Sequence, residues 1–298
     1  MDDRPIRSSP AVEKHGIVGS YVPERADWTI PQDWHLYTAE EHTTWTTLFN
    51  RQIKQVEGRA CQAYLDGLRD LPITADAIPD FDALSDVLMT RTGWRVVAVP
   101  GMVPNDVFFD HLANRRFPAG QFIRKARQLD YLQEPDVFHD IFGHVPMMMN
   151  PVMADFMQAY GKGGLRAGRL GVLERLARLY WYTVEFGLVE EAGGLRIFGA
   201  GILSSFTETR FALEAASPNR LGFDMERVMR TDYRIDEFQE SYFVLPSIDS
   251  LFALARTDFG PVYERLAGTD DMTPGTVLGD DRVFHRGSGA YHAALVAT

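Results

Sequence analysis

The chain has 298 residues and a formal net charge of −11, and 45% of its residues are hydrophobic while 24% are charged. This composition is typical of a globular protein that buries most of its apolar surface in one large domain or two small ones. The negative charge argues against a nucleic-acid partner, because phosphate binding needs clustered Lys and Arg, and no apolar run approaches the roughly 20 residues of a membrane helix.

The first elements are predicted from periodicity and from Pro and Gly. Residues 1–30 are polar and contain three prolines, and a fourth follows at Pro31, so an extended N-terminal arm is predicted. A helical pattern begins near residue 38, and another helix begins at Asp80 or Asp82 and runs through Leu88. Residues 94–101 predict a short strand that ends at Pro-Gly, and Asn105 begins a helix.

Most of the remaining elements are predicted to be helical, and together they favour a single domain. Helices are predicted over about 136–142, 151–160, 169–188, 205–214, 224–231 and 250–266, a strand or loop over 196–203, and a strand over 242–247. No linker or internal repeat divides the chain, so one mainly helical domain is predicted over 31–270. The polar residues 271–298 predict a loosely packed tail.

The cysteine content and the N-terminus predict a cytoplasmic protein. Cys61 is the only cysteine, so no disulfide can form within the chain, which fits a reducing compartment. The first ten residues, MDDRPIRSSP, lack the apolar core of a signal peptide. Cys61 itself lies in a helical pattern, where a buried thiol is more often core than nucleophile.

Two histidines in the segment EPDVFHDIFGHVP, residues 134–146, are candidate metal ligands. In an unbroken α-helix, His139 and His144 would point about 140° apart, which does not suit one metal ion. A helix that ends at Gly143 would allow His144 to turn back toward His139. A His-x4-His pair alone is a weak signal, and such pairs are more often structural.

A carboxylate in a second helical pattern strengthens the metal hypothesis. Glu185 lies in LARLYWYTVEFGL, which is apolar on nearly every face. Burying an unpaired carboxylate costs several kcal/mol, so Glu185 needs a cation or a proton. Arg178 precedes it by seven residues, and an Arg178–Glu185 ion pair is the simpler alternative.

Two histidines and one carboxylate suit either of two metals. A facial triad of this kind leaves coordination positions open for oxygen and is typical of non-haem iron(II). The same ligands can hold catalytic zinc. The zinc-peptidase signature His-Glu-x-x-His is missing, which makes a zinc hydrolase the weaker alternative.

Three blocks, EPDVFHDIFGHVP, ARLYWYTVEFGL and FGAGILSSFTE, resemble the pterin-dependent aromatic amino acid hydroxylase family in order and separation. The resemblance covers about residues 90–250, and more loosely back to about 40. It implies a mainly helical basket with small β-elements, and iron(II) held by His139, His144 and Glu185. It also implies hydroxylation of L-phenylalanine to L-tyrosine with O2 and tetrahydrobiopterin or another tetrahydropterin. The chain is similar to the short bacterial members, which implies a monomer.

The resemblance also implies roles for residues around the metal. Arg124 matches the residue that binds the substrate carboxylate, and Asp136 is expected to support it. The other implied substrate contacts are Phe117, Trp181, Ser204, Ser205 and Ile235. The implied pterin contacts are Gly101, Met102, Val103, Phe108, Asp140, Ala177 and Tyr180. Glu208 is expected to help orient a ligand histidine.

Three positions affect the expected substrate and cofactor contacts. Ile235 stands where tyrosine hydroxylases have aspartate, and an apolar wall would leave a buried ring hydroxyl without a partner. Phenylalanine is therefore ranked first, tryptophan second and tyrosine third. Pro118 replaces a histidine near the pterin, and Asp140 replaces a longer glutamate, so these two pterin contacts depart from the animal pattern.

Other functions remain as alternatives to phenylalanine 4-monooxygenase. A tryptophan hydroxylase would belong to the same family. A zinc hydrolase would use the same three ligands, and metal analysis with peptidase or amidase screening would separate it. A non-catalytic binder of aromatic amino acids would keep Arg124 and the aromatic pocket but show no turnover with iron and pterin.

Overall fold

The computed structural model describes residues 25–130 and 134–296. Most of the predicted N-terminal arm, residues 1–24, lies outside the described residues. Its last residues are tied to the domain, because the Ile30 N–H donates to the Ala98 carbonyl at 3.0 Å and Ile30 packs against the hydrophobic core.

Helices form most of the architecture, which confirms the predicted mainly helical fold. The α-helices are α1 (Ala39–Val56), α2 (Gln62–Asp70), α3 (Phe81–Arg91), α4 (Asn105–Ala113), α5 (Pro151–Leu170), α6 (Leu173–Tyr180), α7 (Ala200–Leu203), α8 (Glu208–Glu214), α9 (Met225–Met229), α10 (Leu251–Ala255), α11 (Phe259–Leu266) and α12 (Ala290–Val296). Short 3₁₀ turns lie at Trp34–Leu36, Ala126–Gln128, Val145–Met149 and Ile248–Ser250. None of the helices in the described part of the chain is both long and apolar enough to cross a membrane.

Local signals explain where the first helices begin. Thr38 and Glu41 form a capping box at the start of α1, in which each side chain bonds the other's backbone N–H. Asp80 caps α3 by accepting the Asp82 N–H, so the predicted helix starts are confirmed. The inner face of α1 carries Trp45, which is fully buried in the core.

Two small sheets account for the β-structure. The strands are β1 (Arg95–Val99), β2 (Arg116–Gly120), β3 (Leu188–Glu191), β4 (Gly194–Ile197), β5 (Asn219–Gly222), β6 (Ser241–Leu245) and β7 (Val283–His285). Strands β1 and β2 pair in parallel, and the larger sheet has the order β4-β3-β6-β5-β7. β3 pairs antiparallel with β4 and parallel with β6.

The parallel pair β1–β2 brings β2 to the centre of the molecule. Helix α4 connects the two strands, as a parallel pair requires. Val96 lies opposite Phe117 in the register, and the Phe117 side chain is fully buried. Gly120 ends β2, and its N–H donates to the Asp140 carboxylate at 2.8 Å, which ties this sheet to the histidine segment.

Two predicted long helices are each divided in the structure. The pattern at 169–188 is interrupted at Gly171, which has a φ of 71°, a conformation that glycine adopts readily. The pattern at 250–266 is α10 followed by α11, and Asp258 caps α11 by accepting the Gly260 N–H. A periodic apolar pattern does not detect such a break, because the buried face continues across it.

The C-terminal segment packs more closely than its polar composition predicts. β7 pairs antiparallel with β5 at the edge of the larger sheet. In α12, His292 is buried and bonds the Phe238 carbonyl at 2.7 Å, while the Tyr291 hydroxyl donates to the Glu237 carboxylate. These contacts hold β7 and α12 against the domain, while loose packing of the tail as a whole stays a prediction.

Candidate active site

The two segments that carry the predicted metal ligands are wider than α-helices. His139–His144 and Trp181–Glu185 are both π-helical turns. A π-helix joins residues five apart by backbone hydrogen bonds, so His139 and His144 lie on the same face of the turn. The predicted helix end at Gly143 is wrong, because the helix continues and widens there. Gly143 is needed instead for close approach to α7, since a Cβ on it would lie 2.8 Å from the Ala200 carbonyl oxygen.

His139, His144 and Glu185 converge as predicted. The two imidazole Nε2 atoms are 3.2 Å apart, and Glu185 oxygens lie 3.6 Å from His139 and 3.3 Å from His144. Two donors about 2.1 Å from one metal ion at about 90° would lie about 3 Å apart. The three side chains therefore fit one face of a metal ion and leave the opposite face open.

The Arg178–Glu185 ion pair is not formed. The Arg178 guanidinium is buried and bonds Asp271 at 2.7 Å, with Asp232 and Glu174 also in contact. These acidic partners account for the charge of Arg178. The Glu185 carboxylate faces two imidazoles, and a divalent cation is the partner that such a buried donor set accommodates best.

Ser204 fixes the proton on His139. The Ser204 hydroxyl donates to the Ala200 carbonyl at 2.8 Å, so its oxygen accepts from the His139 Nδ1–H at 2.9 Å. This places the imidazole proton on Nδ1 and leaves the Nε2 lone pair directed at Glu185 and His144. A hydrogen bond of this kind orients a ligand histidine and favours metal binding.

Replacing Ser204 by alanine should therefore weaken the metal site without abolishing it. The Ser204→Ala variant is expected to bind iron(II) about 10- to 100-fold more weakly, because His139 can rotate and change tautomer. A chelator competition assay measures this affinity. Ser85→Ala is a matched control, since the Ser85 hydroxyl also donates to a helix carbonyl, that of Phe81, but lies in α3. Equal iron affinities for wild type and Ser204→Ala would contradict the orienting role.

Arg124 and Asp136 form a buried ion pair beside the triad. Arg124 Nε and Nη2 donate to the two Asp136 oxygens at 2.8 and 2.9 Å, and the Arg124 backbone N–H donates to the same carboxylate. Asp136 also accepts the His139 backbone N–H at 3.1 Å. Burial alone would raise the Asp136 pKa, but the Arg124 charge and these hydrogen bonds lower it overall.

The geometry of this pair leaves one edge of the Arg124 guanidinium available. Asp136 takes the Nε edge, and within residues 25–130 and 134–296 the edge formed by Nη1 and the second Nη2 proton has only a long 3.5 Å contact with the Leu129 carbonyl. Two parallel N–H groups on one edge match a carboxylate. The predicted supporting role of Asp136 is thus visible as a fixed orientation of the guanidinium.

Aromatic side chains surround the metal ligands. The Phe117 ring lies 5.1 Å from the His144 ring. Trp181 stacks on Tyr233 with centroids 4.3 Å apart and planes at 18°, and it donates its indole N–H to the Gln239 side chain at 2.9 Å. The loop that follows Tyr233 carries Ile235, which is 37% exposed.

Two of the predicted pterin residues, Phe108 and Tyr180, lie next to the triad. Phe108 lies edge-on to Tyr180, and the Tyr180 ring stacks parallel to the ligand His144 with centroids 6.5 Å apart. Ala177, one turn earlier on α6, is buried. Met102 and Val103 are also buried, in the loop between β1 and α4. One oxygen of Asp140 is occupied by the Gly120 N–H, which restricts how this carboxylate could reach a pterin.

Glu134 is a further residue of the site that the sequence did not indicate. It connects the loop that carries Gly101 and Met102 to the histidine segment. Its carboxylate accepts the Met102 N–H, and a Cβ added to Gly101 would lie 2.9 Å from it. Burial and the nearby Asp140 raise the Glu134 pKa. Its position at the start of the EPDVFH block was visible, but its contact with Met102, 32 residues earlier, depends on tertiary structure.

Ser205 and Glu208 lie near the triad but make other contacts. The Ser205 hydroxyl accepts the Glu208 N–H at 3.3 Å. The Glu208 carboxylate accepts the Tyr242 hydroxyl at 2.6 Å and the Gln239 N–H at 3.4 Å. Glu208 thus supports Tyr242 and Gln239, and its expected help in orienting a ligand histidine stays a prediction.

The Glu208 pKa predicts a pH-dependent stability. Burial raises this pKa to about 7, against the lowering effect of the Tyr242 and Gln239 hydrogen bonds. Since the unfolded carboxyl has a pKa near 4.5, the folded state binds more protons between the two values. Its contribution is therefore fully present below about pH 4.5 and is lost as the pH rises through 7.

The Glu208→Gln variant should remove this dependence. Between pH 5 and 8, the free energy of unfolding of wild type is expected to fall relative to the variant by on the order of 3 kcal/mol. Urea unfolding at several pH values measures the difference. Exposed Glu214→Gln on the same helix is the control, and parallel pH curves for wild type and Glu208→Gln would contradict the raised pKa.

The fold and site together define a class of enzyme. A mainly helical domain holds two histidines and one carboxylate on one face of a metal position, which is typical of mononuclear non-haem iron(II) oxygenases. A family model described as biopterin-dependent aromatic amino acid hydroxylase matches residues 29–258. The chain therefore belongs to the biopterin-dependent aromatic amino acid hydroxylase family and is a pterin-dependent iron monooxygenase.

Known proteins of this family are similar over most of their length. A phenylalanine-4-hydroxylase of Caulobacter vibrioides is 60% identical over 91% of this chain and 92% of its own. A crystal structure of the Chromobacterium violaceum phenylalanine hydroxylase with iron and phenylalanine has a TM-score of 0.84 at 52% identity, covering 89% of this chain and 97% of that one. Another, with iron(III) and 7,8-dihydrobiopterin, has a TM-score of 0.84 at 55% identity, covering 88% and 95%.

Proposed function

We propose that this chain hydroxylates L-phenylalanine to L-tyrosine, using O2, iron(II) and a tetrahydropterin. The observation that carries the proposal is the carboxylate of Asp136. It binds the guanidinium of Arg124 and the backbone N–H of the ligand His139 at the same time. A substrate carboxylate bound to Arg124 is thereby held at a defined position relative to the metal ligands. The ring of the amino acid can then extend toward Phe117, Trp181 and Tyr233, which we call the aromatic wall.

Iron and pterin, when bound, supply the activation of O2, and the chain supplies binding and orientation. His139, His144 and Glu185 hold the metal from one side. Ser204 keeps the proton of His139 on Nδ1, so that Nε2 stays available. Positioning matters for the rate, because a reacting atom displaced by about 1 Å can cost about 100-fold.

Arg124 is the proposed anchor of the substrate. The guanidinium edge away from Asp136 is proposed to donate two parallel hydrogen bonds to the α-carboxylate, while Asp136 prevents the guanidinium from rotating. Phe117, Trp181 and Ile235 are proposed to surround the ring, with Ser204 and Ser205 near the substrate backbone. An apolar wall at Ile235 favours an unsubstituted ring, since a ring hydroxyl buried there would lack a partner.

The pterin is proposed to bind between the β1–α4 loop and helix α6. Gly101, Met102 and Val103 offer backbone groups, and Phe108 and Tyr180 offer aromatic faces. Ala177 and Asp140 complete the proposed pocket. The contact of Glu134 with Met102 supports this location, because it anchors the loop to the segment that carries His139.

An anaerobic reconstitution tests the function. The protein is loaded with iron(II), then given O2, a tetrahydropterin and phenylalanine, tryptophan or tyrosine in separate reactions. Tyrosine formed from phenylalanine, at the highest kcat/KM of the three substrates, is the expected product. Faster turnover of tryptophan would assign a tryptophan hydroxylase. Zinc-dependent peptidase or amidase activity, or amino acid binding without any product, would refute the proposal.

We further propose that the enzyme is a cytoplasmic monomer with a catalytic domain spanning residues 31–270. Cys61 is buried and burial raises the pKa of its thiol to about 12, so it is unreactive and the chain has no internal disulfide that a reducing compartment would break. Light scattering coupled to size-exclusion chromatography tests the assembly. A mass of about twice the 33.7 kDa of the chain would contradict the monomer.

A further inference from the structure

A buried glutamine, Gln239, connects the aromatic wall to the loop that carries Ile235. Gln239 is 1% exposed and lies between this loop and strand β6. Its side-chain oxygen accepts the Trp181 indole N–H at 2.9 Å. Its amide NH2 donates to the Arg234 carbonyl at 2.7 Å and makes a longer 3.5 Å contact with the Glu237 carbonyl.

These partners allow only one orientation of the Gln239 amide. An indole N–H can only donate, and backbone carbonyls can only accept. The amide oxygen must therefore face Trp181, and the NH2 group must face the loop. Every strong hydrogen-bonding group of the side chain is used, so the amide fixes the distance between Trp181 and the loop.

Trp181 has little freedom to move away from this position. One face of its ring stacks on Tyr233, and Phe186 lies 4.7 Å from its centroid. It begins the π-helical turn that ends at Glu185, so its backbone belongs to the same turn as the proposed ligand. If Trp181 moved to admit a larger ring, its half-buried indole N–H would lose its hydrogen bond to Gln239, which is unfavourable.

The backbone of Gln239 is also held, by Glu208. Its backbone N–H donates to Glu208 at 3.4 Å, and Glu208 accepts the Tyr242 hydroxyl from β6. The larger sheet, Gln239 and Trp181 thus form a connected series of hydrogen bonds. Through these hydrogen bonds the larger sheet fixes Gln239, and Gln239 in turn fixes the loop and Trp181.

We propose that Gln239 is a positioning residue that sets the selectivity for ring size by holding Trp181 and the Ile235 loop at a fixed separation. The inference rests on the proposed function, since Trp181 and Ile235 affect selectivity only if they surround the substrate ring. Gln239 does not touch the substrate. Its effect is transmitted through Trp181.

The Gln239→Met variant tests the proposal, because it keeps the side-chain volume and removes the amide oxygen and NH2 group that make the three hydrogen bonds. The ratio of kcat/KM for phenylalanine to that for tryptophan is expected to fall about tenfold. Iron content and the KM for the pterin should not change. Gln158→Met is the matched control, since Gln158 also bridges a side chain, Arg115, and a carbonyl, Ala113, but it lies on α5 and joins that helix to the end of α4.

A double-mutant comparison separates positioning from general destabilisation. Trp181→Phe keeps a ring that can stack on Tyr233, but it removes the indole N–H and some ring volume, so it should lower the same ratio. In the Trp181→Phe background, Gln239→Met should have little further effect, because the connection is already broken. Effects that multiply would overturn the proposal, as would an unchanged ratio in a folded Gln239→Met variant.

The same experiment distinguishes this inference from the proposed function. Wild type that forms no tyrosine from phenylalanine contradicts the function itself. Wild type that turns over normally, with Gln239→Met showing wild-type selectivity, contradicts only the role of Gln239. If Gln239→Met does not fold, as judged by circular dichroism, an unchanged ratio in Trp181→Phe alone overturns the proposal.

Discussion

The Glu185→Ala variant is expected to lose tightly bound iron and essentially all hydroxylase activity while remaining folded. Glu185 is the only anionic member of the three-residue ligand set, so its removal leaves two neutral imidazoles. Loss of a group that merely orients a ligand costs about 10- to 100-fold in metal affinity, and loss of the ligand itself should exceed that. Iron content after gel filtration, together with tyrosine formation, measures the effect.

The fold should tolerate this change. Removing a buried carboxylate also removes the cost of keeping it out of water, so the free energy of unfolding of the metal-free protein should change little or increase. Glu174→Ala is the control, because Glu174 lies on the preceding helix, α6, and forms an exposed ion pair with Arg178. Wild-type iron content or full activity in Glu185→Ala would refute the ligand assignment.

The Arg124→Lys variant should lower kcat/KM for phenylalanine by about 100- to 1,000-fold, chiefly through KM. Lysine retains the positive charge but cannot bind Asp136 and a substrate carboxylate through two separate edges. The expected loss is about 3–4 kcal/mol of transition-state stabilisation, the scale of one bidentate charge-assisted contact. Steady-state kinetics at saturating pterin measure it.

Lysine is a better probe at this position than an apolar residue. Removing the charge altogether would leave Asp136 buried without its main partner, a change that typically costs about 3–5 kcal/mol of folding stability. Arg59→Lys is the control, since Arg59 forms a more exposed ion pair with Glu214. Iron content should be unchanged in Arg124→Lys, and a wild-type KM for phenylalanine would contradict the proposed anchor.

The local parts of the fold could be predicted because their causes are local. Thr38 and Asp80 cap the helices that begin after them, and the β-branched run near residue 95 forms a strand. The division at Gly171 was within reach of the sequence, because glycine is the residue that ends helices in this way. The hydrogen bonds of Tyr291 and His292 were not, because they join the C-terminal segment to a loop 54 residues earlier.

The sequence led to three side chains that converge in the structure, but through an incorrect local geometry. Gly143 suggested that a helix ends, and the convergence of His139 and His144 was explained by that end. The structure shows a π-helical turn, which brings residues five apart together without a break. The presence of a π-helical turn depends on packing around it, here the close approach of α7 to Gly143, and no pattern of apolar residues indicates it.

The sequence by itself determined the family and which residues to propose, His139, His144 and Glu185 as metal ligands and Arg124 as anchor, because these depend on which side chains are present and in what order. Only the tertiary structure decided which partners hold them. It assigned Arg178 to acidic residues away from Glu185, placed Glu208 on Tyr242, and brought Glu134 and Gln239 into the site. The physical reason is that a buried polar group must find a partner, and the partner comes from whichever segment packs beside it.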